Sequence, residues 1–359
     1  MKDYRKFIIF ILILVLSGSL FFIFTYKNHL KVTHKDNSKE NKKADKEPKK
    51  DIKTFTISAA GDCTIGWDTN FGYGNRFDKV FKVNGNDYSY FFKNVKDVFI
   101  NDDLTYVNLE GTFTNETVKV EKKFNFKSAP DFVNVLKEGS VEVVGLANNH
   151  SYDYGTKGTE ETIETLKNSN IDYFGREQYL IKEINGLKIG FFGLIDIDAK
   201  KYSEVDKAIK YLKENNCDLI IAAMHWGIEG SYEQTNAQIN LGHYMIDNGV
   251  DLVIGTHPHV IQGIEKYHDR YIIYSLANFV FGGNPNPKDK DTFIFQQTFT
   301  FTDGKLNSDD NIKIIPASIS SITKNNNYQP MILSGERKKS VLNKIKQHSK
   351  NVNFKEETD

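Results

Sequence analysis

The chain has 359 residues, of which 39% are hydrophobic and 26% are charged, as in a globular body with polar tails. The formal charge of zero conceals an asymmetry, because residues 27–53 carry ten lysines against five acids. Outside residues 1–6 and 27–53 the chain has 34 basic against 41 acidic side chains. An acidic body excludes nucleic acid as the expected partner, since nucleic-acid binding needs a basic face. Two cysteines, Cys63 and Cys217, cannot define a disulfide framework and are expected as buried free thiols.

The N-terminal region contains an uncharged apolar run, residues 7–26, after the basic start at residues 1–6. A transmembrane helix needs about 20 apolar residues to cross a hydrocarbon core of roughly 30 Å. We therefore predict an uncleaved signal anchor. A signal peptide cleaved near residues 17–19 is the alternative, and it is disfavoured because the apolar run continues past that point.

The segment after the anchor, residues 27–53, is lysine-rich and nearly free of apolar side chains, which predicts a disordered stalk. Its lysines, counted by the positive-inside rule, favour a body in the cytoplasm. The acids between those lysines and the length of the body favour the opposite orientation. We expect a cytoplasmic N-terminus at residues 1–6, a single membrane pass and an extracellular body.

The body is predicted over residues 54–335, followed by a C-terminal helix and tail at residues 336–359. Strands and helices alternate through its centre, which indicates an α/β fold. Turn signals at Asn185-Gly186 and Asp303-Gly304 add antiparallel strands, so a mixed or double sheet is expected. The predicted strands are residues 54–60, 104–109, 141–147, 180–184, 188–193, 218–224, 252–254, 271–276, 293–301 and 312–315. The predicted helices in the body are residues 88–100, 130–137, 156–168, 204–215 and 233–248.

Five of the central strands end in a carboxylate, an asparagine or a histidine. Because the carboxyl ends of strands in an open α/β sheet share one edge, we expect these side chains to converge. The last of them are two histidines that alternate on an extended segment stiffened by Pro258, which would point both imidazoles the same way. The converging residues are Asp62, Glu110, Asn149, His150, His225, His257 and His259.

Mixed nitrogen and oxygen donors of this kind suit Mn, Fe, Zn or Co and do not favour calcium. A carboxylate between two metal ions would bridge them, and two-metal sites cleave phosphate esters. A further histidine beside the ions could protonate a leaving group. Each residue alone also fits a structural role, Asp62 as a helix cap and Asn148-Asn149 as a turn. The five strand ends together favour one shared polar site.

The chain resembles the CapA family of capsule and poly-γ-glutamate synthesis proteins over residues 54–285. The motifs that carry the resemblance are, in order, Gly61-Asp62, Asn108-Leu109-Glu110, Asn148-Asn149-His150 with Asp153-Tyr154-Gly155, His225-Trp226-Gly227 with Glu229, Gly255 with His257-Pro258-His259, and Tyr274-Ser275-Leu276-Ala277-Asn278-Phe279. That family is similar to the calcineurin-type metallophosphoesterases. The resemblance implies a metallophosphoesterase-like α/β/β/α sandwich behind one N-terminal transmembrane helix.

The resemblance also implies a role for most of the converging residues. Its metal ligands would be Asp62 and His259 for a first ion, Glu110 as a bridge, and Asn149, His225 and His257 for a second ion. His150 would be the general acid. Glu229 and Asn278 lie near the same edge and are candidate substrate contacts. The implied cofactor is one or two divalent metal ions, Mn, Fe or Zn.

The first motif departs from the phosphoesterase pattern Asp-x-His, because this chain has Asp62-Cys63-Thr64. The bridging residue is Glu110 in place of the usual aspartate. Without an imidazole at the first position, a one-metal site and a metal-free descendant both stay open.

Two functions follow from this reading of the sequence. The first is a membrane-anchored, metal-dependent hydrolase or transferase acting on an extracellular polymer or its phosphate linkage. The second is a non-enzymatic accessory that grips an anionic capsule polymer such as poly-γ-glutamate beside membrane synthase subunits. The sequence has no nucleotide-binding loop, so ATP-driven ligation would need another subunit.

Overall fold

The computed structural model describes residues 50–70, 72, 74, 76–308 and 311–354. The predicted cytoplasmic residues 1–6, the predicted membrane anchor at residues 7–26 and most of the predicted stalk lie outside the described residues. Among the helices that are described, none has the length and apolar character needed to cross a bilayer. The residues from Lys50 onward belong to one unit.

The helices and strands of the body alternate in the order expected for an α/β protein. The strands are β1 (Ile52–Thr64), β2 (Leu104–Leu109), β3 (Thr112–Phe113), β4 (Lys127–Ser128), β5 (Val143–Gly145), β6 (Asp172–Phe174), β7 (Leu180–Ile184), β8 (Leu187–Ile195), β9 (Leu219–His225), β10 (Leu252–Thr256), β11 (Ile264–Tyr267), β12 (Arg270–Ile273), β13 (Asn278–Phe281), β14 (Asp291–Thr302), β15 (Lys305–Leu306), β16 (Ile312–Ser318) and β17 (Met331–Ile332). The α-helices are α1 (Phe77–Val83), α2 (Lys96–Phe99), α3 (Val133–Glu138), α4 (Gly155–Asn168), α5 (Ala199–Glu214), α6 (Asn236–Asp247) and α7 (Gly335–His348), with 3₁₀ turns at Tyr88–Phe91 and Pro130–Phe132.

Two mixed sheets contain nearly all of these strands. The first sheet has the order β17-β16-β14-β1-β2-β5-β6, with β13 beside β1 and β15 beside β14. The second sheet has the order β11-β12-β10-β9-β8-β7. In the first sheet β1, β2 and β5 run parallel, and in the second sheet β8, β9, β10 and β12 run parallel. The predicted mixed α/β fold is therefore confirmed.

The apolar side chains form three clusters that order the layers. One cluster contains side chains from both sheets, among them Ile57 of β1 and Ile221 of β9. A second joins the first sheet to helices α1 to α4, and a third joins the second sheet to α5 and α6. Alternation along β9 explains this arrangement, since Ile221 belongs to the shared cluster and its neighbour Ala222 to the third. A fully buried Leu, Ile or Phe side chain stabilises the fold by about 1.5–3 kcal/mol.

Both predicted ends of the body differ from the structure. Ile52 and Lys53 already belong to β1, and Lys53 Nζ donates to Gly186 O over 2.9 Å, so the stalk ends before residue 52. At the other end, α7 buries Val341 and Ile345 completely in the cluster shared by the sheets. The boundary after residue 335 therefore falls inside the body.

Two predicted elements were wrong in extent. Residues 88–100 were expected as one helix and contain instead a 3₁₀ turn and the short helix α2. Buried aromatic packing at Phe91, Phe92 and Phe99 determines the backbone there, and it outweighs the weak helical preference. The strand predicted at residues 271–276 ends at Ile273, because the chain then leaves the second sheet and enters β13 of the first.

Candidate metal centre

The candidate ligands lie where the carboxyl ends of strands from the two sheets meet. The prediction of a single sheet edge was wrong, because β1, β2 and β5 belong to one sheet and β9 and β10 to the other. Contacts join the two sides, with the backbone N–H of His257 3.2 Å from Asp62 Oδ2 and His225 Nε2 3.6 Å from Glu110 Oε1. The site therefore needs both sheets.

Asp62 is aimed into the site by an irregularity in β1. The register of β1 against β2 shifts between Ala60 and Asp62, which turns the carboxylate out of the regular pleat. A Cβ atom at Gly61 would lie 1.9 Å from Ala277 O, so only glycine permits the hydrogen bond of 2.9 Å from Asp62 N to that oxygen. Asp62 Oδ1 also accepts a hydrogen bond of 2.7 Å from Asn108 Nδ2.

A first group of possible ligands consists of Asp62, Glu110 and His259, whose donor atoms all lie within 4.8 Å of one another. His259 Nδ1 lies 2.8 Å from the acceptor Asn278 Oδ1, so we place the ring proton on Nδ1. Its Nε2 lies 3.8 Å from Glu110 Oε1. Asn278, a candidate substrate contact, is only 3% exposed and also donates to His259 O, so the structure gives it a part in positioning His259.

A second group consists of Asn149, His225 and His257. His225 Nε2 lies 3.0 Å from both Asn149 Oδ1 and His257 Nδ1. On the other side of the ring, His225 Nδ1 lies 3.1 Å from Thr256 Oγ1, which can take its proton as an acceptor. With the proton on Nδ1, the lone pair of Nε2 lies beside two further atoms that can bind a cation, Asn149 Oδ1 and His257 Nδ1.

The carboxylate of Glu110, a member of the first group, also lies close to His225 of the second group. Its Oε2 accepts a long hydrogen bond of 3.4 Å from Thr64 Oγ1, but Oε1 is buried without a hydrogen-bond partner among the described residues. Burial raises the pKa of Glu110 to about 8, against the opposing charge of His259. Because buried polar atoms are normally satisfied, an orphaned carboxylate oxygen beside two imidazoles fits a site for a divalent cation.

The protonation of the neighbouring groups fits the same conclusion. Burial acts to raise the pKa of Asp62, but its hydrogen bond to His259 and the nearby imidazoles lower it to about 2. Burial opposes the charge on His259, yet Glu110 and Asp62 raise its pKa to about 10. Burial lowers the pKa of His225 and of His257, so both are neutral donors near pH 7. The protein thus holds a proton on His259, at a place where a divalent cation would satisfy both carboxylates.

The prediction that His257 and His259 lie on an extended segment was wrong. Strand β10 continues to Thr256, and His257 and His259 have φ angles of 99° and 58°, so the segment is not extended. Their ring centres lie 6.0 Å apart, and His257 contacts His225 while His259 contacts Asn278. Left-handed backbone at two non-glycine residues costs of order 1–3 kcal/mol each and occurs most often at functional sites.

His150 is held beside these groups by Asp153 and Lys122, for which the sequence predicted no role. Its Nδ1 lies 2.7 Å from Asp153 Oδ2, and the other oxygen of Asp153 accepts a hydrogen bond of 2.7 Å from Lys122 Nζ. Lys122 also donates to Asn149 O at 2.8 Å. Asp153 follows His150 by three residues, which is a readable signal, whereas Lys122 comes from a distant loop and has none. Burial lowers the pKa of His150 despite the carboxylate of Asp153.

Glu229 also lies at the site, as does the motif Asp62-Cys63-Thr64 that differs from the phosphoesterase pattern. Glu229 is exposed, and its carboxylate forms a further group with His257 and His259 in which all donor atoms lie within 4.8 Å of one another. In the first motif, Thr64 takes the position of the expected imidazole and donates to Glu110. Cys63 is a buried free thiol in the apolar cluster that joins the first sheet to helices α1 to α4, and burial raises its pKa.

Comparison with known proteins identifies the family. The family of the bacterial capsule synthesis protein PGA_cap matches residues 56–283, which include every residue of the two groups. The chain belongs to this family. The resemblance read from the motifs is thereby confirmed.

Two curated relatives show how far the likeness extends. The capsule biosynthesis protein CapA of Bacillus anthracis is 31% identical over 54% of this chain and 54% of its own length. The PGA biosynthesis protein CapA of Bacillus subtilis (strain 168) is 27% identical over 64% of this chain and 65% of its own length. The chain thus matches about half to two thirds of the length of these relatives. A hypothetical protein from Thermus thermophilus aligns at 15% identity and a TM-score of 0.44, over 73% of this chain and 98% of its own, and supports no conclusion.

Proposed function

We propose that this PGA_cap protein is a metal-dependent hydrolase of the metallophosphoesterase type that acts on an anionic capsule polymer, such as poly-γ-glutamate, or on its phosphate linkage. The observation that carries the proposal is the buried Oε1 of Glu110, which has no hydrogen-bond partner among the described residues and lies 3.6 Å from His225 Nε2 and 3.8 Å from His259 Nε2. The names of the relatives from Bacillus anthracis and Bacillus subtilis supply the polymer context.

The proposed ligands divide as the two groups do. Asp62 and His259 would hold one ion, Asn149, His225 and His257 another, and Glu110 would contact both. Mn, Fe and Zn fit these donors, and such ions acidify bound water and polarise phosphoryl oxygens. A buried carboxylate that faces two imidazoles binds such an ion without leaving an unsatisfied oxygen.

The protein's own part in the reaction would be proton transfer and orientation. Nδ1 of His150 donates to Asp153 over 2.7 Å, so a proton for a leaving oxygen would come from Nε2 of the imidazolium form, in which both ring nitrogens carry a proton. Burial lowers the pKa of His150, although the carboxylate of Asp153 favours that form, so the imidazolium would release its proton readily. Lys122 balances the charge of Asp153 over 2.7 Å. His150 is 6% exposed, which shields the transferred proton from bulk water.

Two measurements test the proposal. Anomalous scattering at the site should show one or two transition-metal ions, and the metal-loaded protein should hydrolyse a phosphodiester such as bis-p-nitrophenyl phosphate. His150→Gln and Asp153→Asn should each lower kcat by about 10²–10⁴-fold at unchanged metal content, because general acid catalysis contributes that much. The double variant should lose no more than the worse single variant. A protein that stays metal-free in excess manganese would overturn the proposal.

A specific observation favours a second candidate, the non-enzymatic accessory. Thr64 replaces the imidazole expected at the first metal position, which weakens that position relative to the second. With one ion bound through Asn149, His225 and His257, the site would grip polymer carboxylates without cleaving them. In that case the protein would bind poly-γ-glutamate in a metal-dependent manner, and His150→Gln would leave that binding unchanged.

The membrane anchor at residues 7–26, the extracellular position of the body and the synthase partners are part of the same proposal. A protein anchored there would act where capsule polymer emerges. In intact cells, an added protease should degrade the body while a cytoplasmic marker survives, and the protein should remain in the membrane fraction at high salt. Affinity purification from detergent extracts should recover synthase subunits.

A further inference from the structure

One cation beside His150 lacks an acidic partner. Arg176 is exposed, its Nη1 donates to Ser151 Oγ over 3.1 Å, and its guanidinium carbon lies 5.0 Å from the centre of the Tyr152 ring. No carboxylate of the described body lies within ion-pair distance of Arg176. A guanidinium supported by a hydroxyl and an aromatic face keeps most of its N–H groups free for an incoming anion.

The backbone that presents Arg176 is strained. Gly175, Arg176 and Glu177 have φ angles of 101°, 51° and 69°. Non-glycine residues rarely adopt this left-handed conformation, because their Cβ atom comes too close to the following carbonyl oxygen. The turn is closed by two hydrogen bonds between Gly175 and Gln178, and a Cβ atom at Gly175 would lie 2.5 Å from Ala147 N. The turn is therefore pressed against the segment that leads into Asn149 and His150.

The charges around the site differ between its two sides. On the His257 side, the carboxylates of Glu229 and Asp196 are near enough to act on the charge of that imidazole. On the His150 side, Lys122 is engaged by Asp153, whereas Arg176 has no acidic partner among the described residues. An anionic substrate would therefore be favoured on the His150 side and repelled from the other.

The surface beyond Tyr152 continues this basic side. Tyr152 Oη lies 3.0 Å from Thr156 Oγ1, and Thr156 lines an open cavity of about 290 Å³. The wall of the cavity includes Lys119 and Lys157. The acid in the same wall, Glu116, accepts hydrogen bonds through Oε1 from the N–H groups of residues 117 and 118, so part of its charge is already compensated.

We propose that Arg176 and the cavity beside Lys119 and Lys157 form an anion track that receives a chain of repeated carboxylate or phosphate groups and leads it to the metal centre. Arg176 would bind the anionic group next to the reacting bond, and the cavity would bind a group farther along the chain. The proposal deepens the proposed function and rests on it for the position of the reacting bond.

The test compares long and short anionic ligands on the full-length protein. Arg176→Gln should weaken binding of a poly-γ-glutamate oligomer about tenfold by calorimetry, because the variant loses a charge-assisted hydrogen bond to the anionic group. In hydrolysis assays of a chain substrate it should raise KM and leave kcat unchanged. Arg176→Lys should be intermediate, because it keeps the charge and loses the planar fork.

The combined Lys119→Gln and Lys157→Gln variant should weaken binding of the long oligomer and leave KM for bis-p-nitrophenyl phosphate unchanged. Polyphosphate of matched length, used as a competitor, distinguishes phosphate from carboxylate as the preferred group. Lys210→Gln is the control for Arg176→Gln, because it also removes one unit charge, from the exposed surface of α5, where the side chain is 75% exposed.

Three outcomes would overturn the anion track: no binding of either polymer, an equal loss in Lys210→Gln, or an Arg176→Gln variant that binds like the parent. A protein without hydrolytic activity whose polymer binding still depends on Arg176 would remove the proposed hydrolase and retain the track. The two proposals can therefore fail separately.

Discussion

Glu110 shows how a residue can oppose stability in one state and support it in another. Its Oε1 is buried without a described partner, and an unsatisfied buried group costs about 1–3 kcal/mol. A cation at the site would convert that cost into a bond, so the residue couples metal binding to folding.

We therefore predict opposite effects of Glu110→Gln with and without metal. The metal-free variant should melt at the same temperature as the parent or higher, because a neutral amide is cheaper to bury than a carboxylate. Added manganese should raise the Tm of the parent and no longer raise that of the variant. Differential scanning calorimetry measures both, and a metal-free variant that melts several degrees lower would contradict the prediction.

Asp102, which is not among the proposed metal ligands, makes the stability of the folded state depend on pH. Burial raises its pKa to about 6, against hydrogen bonds from Ser58 and Thr105. Because the folded pKa lies above the unfolded value of 3.8, the folded state binds the proton more tightly and loses stability as the pH rises from about 4 to about 6. At neutral pH this carboxylate therefore destabilises the fold.

Asp102→Asn should accordingly stabilise the protein at pH 7.5 by of order 1 kcal/mol, a value reduced by solvent screening of its exposed part. The gain should shrink as the pH falls through about 6 and vanish below about 4. Urea unfolding at several pH values checks this, with Asp97→Asn on the exposed surface of α2 as control. A gain that persists at pH 3.5 would assign the effect to something other than titration.

At the scale of elements, the approach of β1 to the segment before β13 fixes the first ligand. Gly61 leaves no space for a Cβ atom, and the hydrogen bond from Asp62 to Ala277 O holds the strands together. The same segment positions Asn278 and, through it, His259. One close backbone contact therefore positions two of the proposed ligands, Asp62 and His259.

Gly61→Ala should separate these segments and displace Asp62. We expect a stability loss of about 1–3 kcal/mol, as for overpacking in a close-packed interior, and a loss of metal affinity of at least tenfold. Gly72→Ala is the matched control, because a Cβ atom there meets nothing within 4 Å. Chemical denaturation measures the loss of stability, and metal titration measures the loss of affinity. Unchanged metal affinity would contradict the prediction.

The sequence allowed the elements of this site to be found, but only part of its geometry. Fully apolar strands such as β9 and the Asn185-Gly186 turn are local signals, and the structure contains both. The division of the strands between two sheets is not local, because periodicity does not report which strands pair. The left-handed backbone of His257 and the approach of Lys122 to Asp153 depend on tertiary packing, which sequence spacing does not encode.

At the scale of the whole molecule, the metal centre would join the two sheets. Asp62 lies in β1 and Glu110 follows β2, and both strands belong to the first sheet. His225 ends β9 and His257 follows β10, and both of these strands belong to the second sheet. Any ion bound by both sets would cross-link the layers where the apolar core ends.

Chelation of a metal-loaded preparation should therefore destabilise both sheets together. At a free metal concentration about 100-fold above Kd the ion stabilises by about 2.7 kcal/mol, which corresponds to several degrees in Tm. Hydrogen exchange after chelation should increase at the carboxyl ends of β1, β2, β9 and β10. An increase confined to one sheet would show that the ion does not link them.

The pairing of β1 with β14 has a consequence for the order of assembly during synthesis. Ile52 pairs with Thr302, so the strand that carries Asp62 lacks one neighbour until some 250 residues more have been made. The last proposed ligand, His259, is also made late. A nascent chain would therefore complete the first sheet around its proposed metal site only after β14 has been made, and a bound ion would mark a chain in which that pairing has formed.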